Sequence, residues 1–258
     1  MTPAMSSLPA QVSRTPFTYT AFGGTRAANL RHPANTQEPI KGTVVLCTGS
    51  AMLALDPAHE AVAGLEELAT ALEHALLEAQ FSVVRPESIS GNPNSELILE
   101  AAESFLDAAF DAGGAFGQRV MIALSAAAPL LAVAAADRKL DSMVLISPPI
   151  LEEFSNHPER VETSLVEHLG LAPEVAAALG SLAPMNKSTQ VAPRALLVHG
   201  AADSIIRADD AIGWRALLAA AGITARRIEI AFSEHDLSPD SCRQAAIQVI
   251  TRFVAEGS

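Results

Sequence analysis

Apolar residues in this chain gather in two kinds of run. The first kind is short and almost unbroken, at residues 43–47, 81–84, 119–124, 142–146 and 195–198. Runs of this sort predict strands buried on both faces, as in a parallel sheet with helices above and below. A more polar segment at 227–232 predicts the last strand. The second kind recurs every three or four residues and predicts amphipathic helices. Val62, Leu65, Leu68, Leu72 and Leu76 mark one helix, Leu97, Ala101, Phe105 and Ala109 another, residues 125–136 a buried one, residues 209–221 a fourth, and Ala246, Val249, Ile250 and Phe253 the last. The breaks between runs agree. Asp56-Pro57 predicts an N-cap with proline at the first helical position, Gly113-Gly114 and Gly222 predict helix stops, and Ser238-Pro239 predicts the cap of the final helix. Ahead of these, residues 17–22 alternate and end at Gly23-Gly24, a hairpin signal, with 27–31 as the returning strand.

Two outer strands followed by strands alternating with helices predict an α/β fold, with a mostly parallel central sheet and helices on both faces. Residues 1–14 read as a flexible arm. Residues 151–188 interrupt the alternation with two short helical patterns, 158–169 and 173–179, each closed by a glycine (Gly170, Gly180). They predict a small helical lid inserted over one edge. No internal repeat divides the chain, so residues 1–258 are expected to form a single domain.

Composition narrows the function. With 49% hydrophobic and 18% charged residues the chain is a folded one, and with only 4% aromatics its core is built from Ala, Leu, Val and Ile. A formal net charge of -12 argues against a nucleic-acid partner and against docking on an anionic membrane. Residues 120–136 are apolar over about 17 positions, the lower limit of a membrane span. Ser125 and Pro129 lie inside that stretch and its first half is strand-like, so strand and buried helix are the expectation. The first residues carry no basic segment followed by an apolar one, so no secretion signal is read there and a cytoplasmic location is expected. Cys47 and Cys242 read as buried small hydrophobes.

In an open parallel sheet, ligands bind beyond the carboxyl ends of the strands. The residues that follow each strand are therefore the informative ones: Thr48-Gly49-Ser50-Ala51, then Ser125, then Ser147-Pro148-Pro149, then His199-Gly200-Ala201-Ala202-Asp203, then Ser233-Glu234-His235-Asp236. The strand-serine-helix layout around Ser125 is that of a nucleophile elbow, in which a sharp turn presents the hydroxyl. Taken singly, Ser125 is a buried strand-end serine, Asp203 a turn residue and His235 a loop histidine. Taken together, a serine, an aspartate and a histidine at three strand ends form a nucleophile, an orienting acid and a base. His199 is expected to pack behind the acid loop, Asp236 to fix the histidine loop, and Asp209 and Asp210 to cap a helix. The glycines at 113–117 follow a helix and precede a strand, the reverse of a dinucleotide site, and no His, Cys or Asp spacing suits a metal. No cofactor and no metal are expected.

These residues carry a family resemblance. His199-Gly200-x-x-Asp203 and Glu234-His235-Asp236-Leu237, with the order of strands and helices and an insertion after the strand ending at Ile146, resemble the α/β-hydrolase superfamily over nearly the whole chain. The elbow reads Ala123-Leu124-Ser125-Ala126-Ala127 where that superfamily has Gly-x-Ser-x-Gly, and Thr48 stands where it usually has histidine. The resemblance implies an α/β-hydrolase fold with Ser125 as nucleophile, His235 as base and Asp203 as the acid that orients it. The backbone N–H groups of Ser50 and Ala126 would form the oxyanion hole, with Ala51 and the lid residues Phe154 and Leu165 beside the substrate. The implied reaction is hydrolysis of a carboxylic ester or thioester with a hydrophobic portion, through an acyl-enzyme. The partner would be a small molecule, free or linked to a carrier or coenzyme A, and a homodimer is an admissible assembly. The same fold and triad also serve acyl transfer, cyclisation or other acid–base chemistry, and a binding protein on a hydrolase scaffold is the third alternative.

Overall fold

The computed structural model describes residues 12–34, 37–87, 94–114, 117–151, 160, 163–180 and 193–256. Among these residues eight strands form one sheet: β1 (Arg14–Ala21), β2 (Gly24–Arg31), β3 (Gly42–Cys47), β4 (Phe81–Arg85), β5 (Gln118–Leu124), β6 (Ser142–Ile146), β7 (Arg194–Gly200) and β8 (Ala225–Ile230). Their spatial order is β1-β2-β4-β3-β5-β6-β7-β8. β1 and β2 are a hairpin, β2 pairs antiparallel with β4, and every later pairing is parallel. Among the described residues the α-helices are α1 (Gly49–Met52), α2 (Glu60–Glu78), α3 (Ile98–Ala112), α4 (Ala127–Ala134), α5 (Pro173–Gly180), α6 (Asp210–Ala220) and α7 (Asp240–Ala255).

The unbroken apolar runs of the strands have a direct cause. Neighbouring residues point to opposite faces, and both faces are covered. Val45 and Cys47, Met121 and Ala123, Met143 and Leu145, and Ala195 and Leu197 face one core, shared with Phe105 of α3, Leu130 of α4 and Trp214 of α6. Val44 and Leu46, Ile122 and Leu124, Val144 and Ile146, and Leu196 and Val198 face the other, shared with α2 and α7. On α2, Leu65, Leu68, Leu72 and Leu76 are fully buried, and each such burial contributes about 1.5–3 kcal/mol.

Several boundaries differ from those the sequence pattern predicts. The second helix opens at Glu60 with His59 at its N-cap, because the Asp56 carboxylate accepts the Ala58 N–H (2.9 Å) and holds 56–58 as a local turn. Helix α4 stops at Ala134, two residues short, and β8 covers Ala225–Ile230, so that Phe232 lies beyond it with a left-handed backbone (φ 58). α1 is a single turn that the apolar pattern does not announce. Cys47 is fully buried, but Cys242 is only half-buried, because it lies at the side of the face by which α7 packs. Of the expected lid, the structure describes Leu151, Arg160 and residues 163–180: one turn of π-helix at Ser164–His168, Gly170 in the left-handed region (φ 68), and α5. Phe154 and Val161, and most of the arm at 1–14, lie outside the described residues. Among the described residues no helix is long and apolar enough to cross a membrane, and none of their His, Cys, Asp and Glu side chains cluster in a group that would hold a metal ion.

Candidate active site

Three loops leave the carboxyl ends of β5, β7 and β8 and converge. The first turns at Ser125, whose backbone is left-handed (φ 51). Its N–H donates to Ile146 O (2.8 Å), continuing the pairing of β5 with β6, and its carbonyl accepts from Ala128 N (2.9 Å), opening α4. A non-glycine residue held there costs about 1–3 kcal/mol, so the surroundings must impose it. Within the elbow, residues 123–127, Ser125 alone bears this strain. Ala123 and Ala127 are not left-handed, Ala126 has φ -57, and all three methyls are buried in the apolar core beside α4. Alanine at these places needs no unusual backbone.

The second loop carries Asp203, whose side chain is fully buried. Oδ1 accepts the N–H groups of Ile205 (3.0 Å) and Ile206 (2.8 Å). Oδ2 faces two imidazoles: His235 Nδ1 at 2.8 Å and His199 Nε2 at 3.1 Å. Burial pushes the Asp203 carboxyl up, but the hydrogen bonds from His199 and His235 and the Ile206 N–H outweigh it and hold the group well below the usual carboxylate range. The third loop carries His235, which is 3% exposed. An ionised Asp203 can only accept, so His235 carries its proton on Nδ1. Its Nε2 is then bare and lies 2.8 Å from Ser125 Oγ, which donates to it. The hydroxyl, imidazole and carboxylate thus form one hydrogen-bonded line.

Two glycines and one serine let the loops fit. A Cβ on Gly200 would lie 2.3 Å from Glu234 O and 2.4 Å from Ser233 O, so the acid loop can pass the histidine loop only with glycine there. Gly64 of α2 leaves room for Asp236, whose carboxylate accepts Ser238 N (2.9 Å) and Arg243 Nη2 (2.6 Å), fixing the loop as the sequence suggests. Ser147, left-handed at φ 45, donates its hydroxyl to His235 O (3.1 Å).

The other residues singled out in the sequence fall as follows. β3 and β5 are level neighbours, Cys47 opposite Ala123, so Thr48, Gly49 and Ser50 leave the sheet beside the elbow. Ser50 and Ala51 are buried in α1. Ala126 precedes α4, and the first N–H groups of a helix have no intrahelical acceptor. Leu165 is 3% exposed and, with Pro129, Pro149, Ile150 and Leu179, lines a narrow apolar recess. Asp209 occupies the N-cap position of α6 without a side-chain cap, whereas Asp210 accepts Ile150 N (3.1 Å) and ties α6 to the end of β6. His199 does more than pack: its Nε2 also lies 2.9 Å from Ile206 O, and among the described residues its buried Nδ1 has no partner. The residues under the Thr48–Ser50 corner were missed. Thr48 and Ser50 both donate to Glu66, whose spacing with Thr70 and Glu73 along one stripe of α2 was the available signal.

No family model and no curated protein sequence matches the chain. Solved structures do. The hyperthermophilic esterase from the archaeon Pyrobaculum calidifontis superposes with a TM-score of 0.67 at 18% identity, covering 96% of this chain and 85% of that one. The fold is the α/β-hydrolase fold. An esterase domain of a Rhodothermus marinus protein shares it (TM-score 0.63, 16% identity, 95% of this chain and 98% of that one). So does carboxyl esterase 2 of the mycorrhizal fungus Tuber melanosporum (TM-score 0.63, 16% identity, 98% and 89%). At these identities the likeness is one of α/β-hydrolase architecture, and chemistry has to be argued from the site.

Proposed function

We propose that the protein is a serine hydrolase that cleaves a carboxylic ester or thioester through an acyl-enzyme. The observation that carries this reading is the line Ser125 Oγ–His235 Nε2, 2.8 Å, and His235 Nδ1–Asp203 Oδ2, 2.8 Å. In this reading Ser125 attacks the acyl carbonyl as its proton passes to His235 Nε2. Asp203 keeps the imidazole in the tautomer that accepts that proton and stabilises the resulting cation. The developing oxyanion is met by the N–H groups of Ala126 and Ser50, a contribution of about 10²–10³ in rate for each well-aimed donor. His235 then protonates the departing alkoxide or thiolate, and water repeats the sequence to release the acid and restore the Ser125 hydroxyl. The esterases that share the fold support the reaction class. A substrate with a hydrophobic portion is part of this reading, on the strength of the apolar side chains that follow β6 in the chain, among them Leu165 and Leu179.

A fluorophosphonate probe and a series of p-nitrophenyl esters and acyl thioesters test this. The wild type is expected to label once, at Ser125, and to turn over short or medium acyl groups. Ser125→Ala is expected to lose labelling and at least about a thousandfold in kcat. Labelling at another residue, or none with no turnover, sinks the reading. Esterase and thioesterase activity separate in the same series.

A further inference from the structure

The corner between β3 and α1 is tied to an ion-pair chain that the proposed mechanism does not use. Thr48 Oγ1 and Ser50 Oγ lie 3.0 Å apart, and both donate to one oxygen, Oε1, of Glu66 on α2, the Thr48 bond at 2.5 Å. The other oxygen, Oε2, accepts Arg85 Nη2 at 2.7 Å. Arg85 Nη1 in turn reaches Thr70 Oγ1 (3.0 Å) and Glu73 Oε2 (3.3 Å), and Glu73, only 2% exposed, also binds Arg31 of β2. Two carboxylates and two guanidiniums alternate along the chain, so it adds no net charge beneath the corner. On its other side the corner is closed by packing: a Cβ on Gly49 would lie 2.3 Å from Leu55 Cδ1.

We propose that Glu66 is a positioning residue for the oxyanion corner: it clamps Thr48 and Ser50 to helix α2 and so aims the backbone of Ser50 at the reacting carbonyl. This rests on the serine-hydrolase reading above. A backbone donor stabilises an oxyanion only if it is already aimed where the charge develops, because reorienting it during the reaction would cost what it returns. A single-turn helix at the end of a strand has little of its own to fix that aim. The clamp supplies it. Two hydroxyls, on either side of Gly49, converge on one carboxylate oxygen, and Arg85 prevents the carboxylate from turning. Charge-assisted hydrogen bonds of this kind are about twice as strong as neutral ones. Glu66 itself acts through Thr48 and Ser50.

Wild type, Glu66→Ala, Glu66→Gln and Thr48→Val are compared on a p-nitrophenyl ester, with kcat expressed per serine labelled by fluorophosphonate at completion. Glu66→Ala is expected to lower kcat per labelled serine by about 10–100-fold, less than complete loss of a donor, with KM within about twofold. Glu66→Gln keeps an oxygen for both hydroxyls but turns toward Arg85 an NH2 group that cannot accept from it, so it is expected to recover part of the loss and to fall between wild type and Glu66→Ala. Thr48→Val removes one of the two anchors at nearly constant shape and is expected to cost about threefold or more, which tests the clamp even if Glu66→Ala fails to fold. A purely structural role would lower the melting temperature and the labelled fraction while leaving kcat per labelled serine within twofold; that result, or an unaffected Thr48→Val, overturns the proposal. An unlabelled, inactive wild type overturns the serine-hydrolase reading first, and the clamp with it.

Discussion

Asp203 is the residue on which the most contacts in the site converge. One oxygen receives two backbone N–H groups and the other two imidazoles, so the carboxylate cannot turn without breaking several bonds. Its folded pKa lies below the ordinary value near 3.8. A depressed carboxylate contributes stability that is complete above the ordinary value and is lost as pH falls through the folded one. Denaturant unfolding of wild type and Asp203→Asn from pH 7 downward should therefore show a constant gap near neutrality that narrows in acid, below about the ordinary carboxylate value; a gap independent of pH would remove the ionised carboxylate from the account. The same variant should lose about 10⁴ in kcat, because an amide that donates to His235 Nδ1 leaves the proton on the wrong nitrogen. At Ser125 the residue scale also explains the unusual elbow. The strain of the turn sits on the serine, at φ 51, and the neighbouring alanines have no positive φ to relieve.

At the scale of elements, α2 is the frame of the site. Its apolar stripe packs on the sheet, Gly64 admits Asp236, Glu67 pairs with Arg243, which also holds Asp236, and Glu66 holds the corner after β3. One helix thus supports both the histidine loop and the loop proposed to bind the oxyanion. The acid and histidine loops meet at Gly200, where the backbone of residues 233–234 leaves no room for a methyl group. Gly200→Ala should lower stability by about 1–3 kcal/mol, the usual cost of overpacking, and reduce kcat as Asp203 and His235 are pushed apart. Thermal melting and ester turnover check this together, and a variant that is both stable and fully active would show that the loops can part without consequence.

For the molecule as a whole, the central parallel strands β3 to β7 were legible because each must satisfy two cores, which leaves an apolar run without alternation. The three loop residues were legible for a related reason: a parallel sheet gathers its strand ends on one side, so Ser125, Asp203 and His235 share a rim whatever their distance in sequence. The clamp was not legible. Arg31, Glu73, Arg85 and Glu66 meet only because β4 inserts between β2 and β3, and no local pattern announces that order. The bounds of α2 were misplaced because Asp56 spends its side chain on a turn instead of a cap. Cys242 was misread because an apolar helix face has edges. The two thiols now separate by scale. Cys47 is fully buried between β4 and β5 with its thiol pushed up by burial, so it should react with a disulfide reagent only on global unfolding, whereas Cys242 should react in the native state. Equal rates under native conditions would contradict the packing of the central sheet.

The chain has one tryptophan, Trp214 on α6. It is 1% exposed, and its indole N–H donates to Pro149 O at 2.8 Å, just after the chain leaves β6. Its fluorescence is therefore a native optical gauge of that exit. Emission should be blue-shifted while the indole stays dry, and any ligand that moves the joint at Pro149 should register in it without a label, on the timescale of mixing.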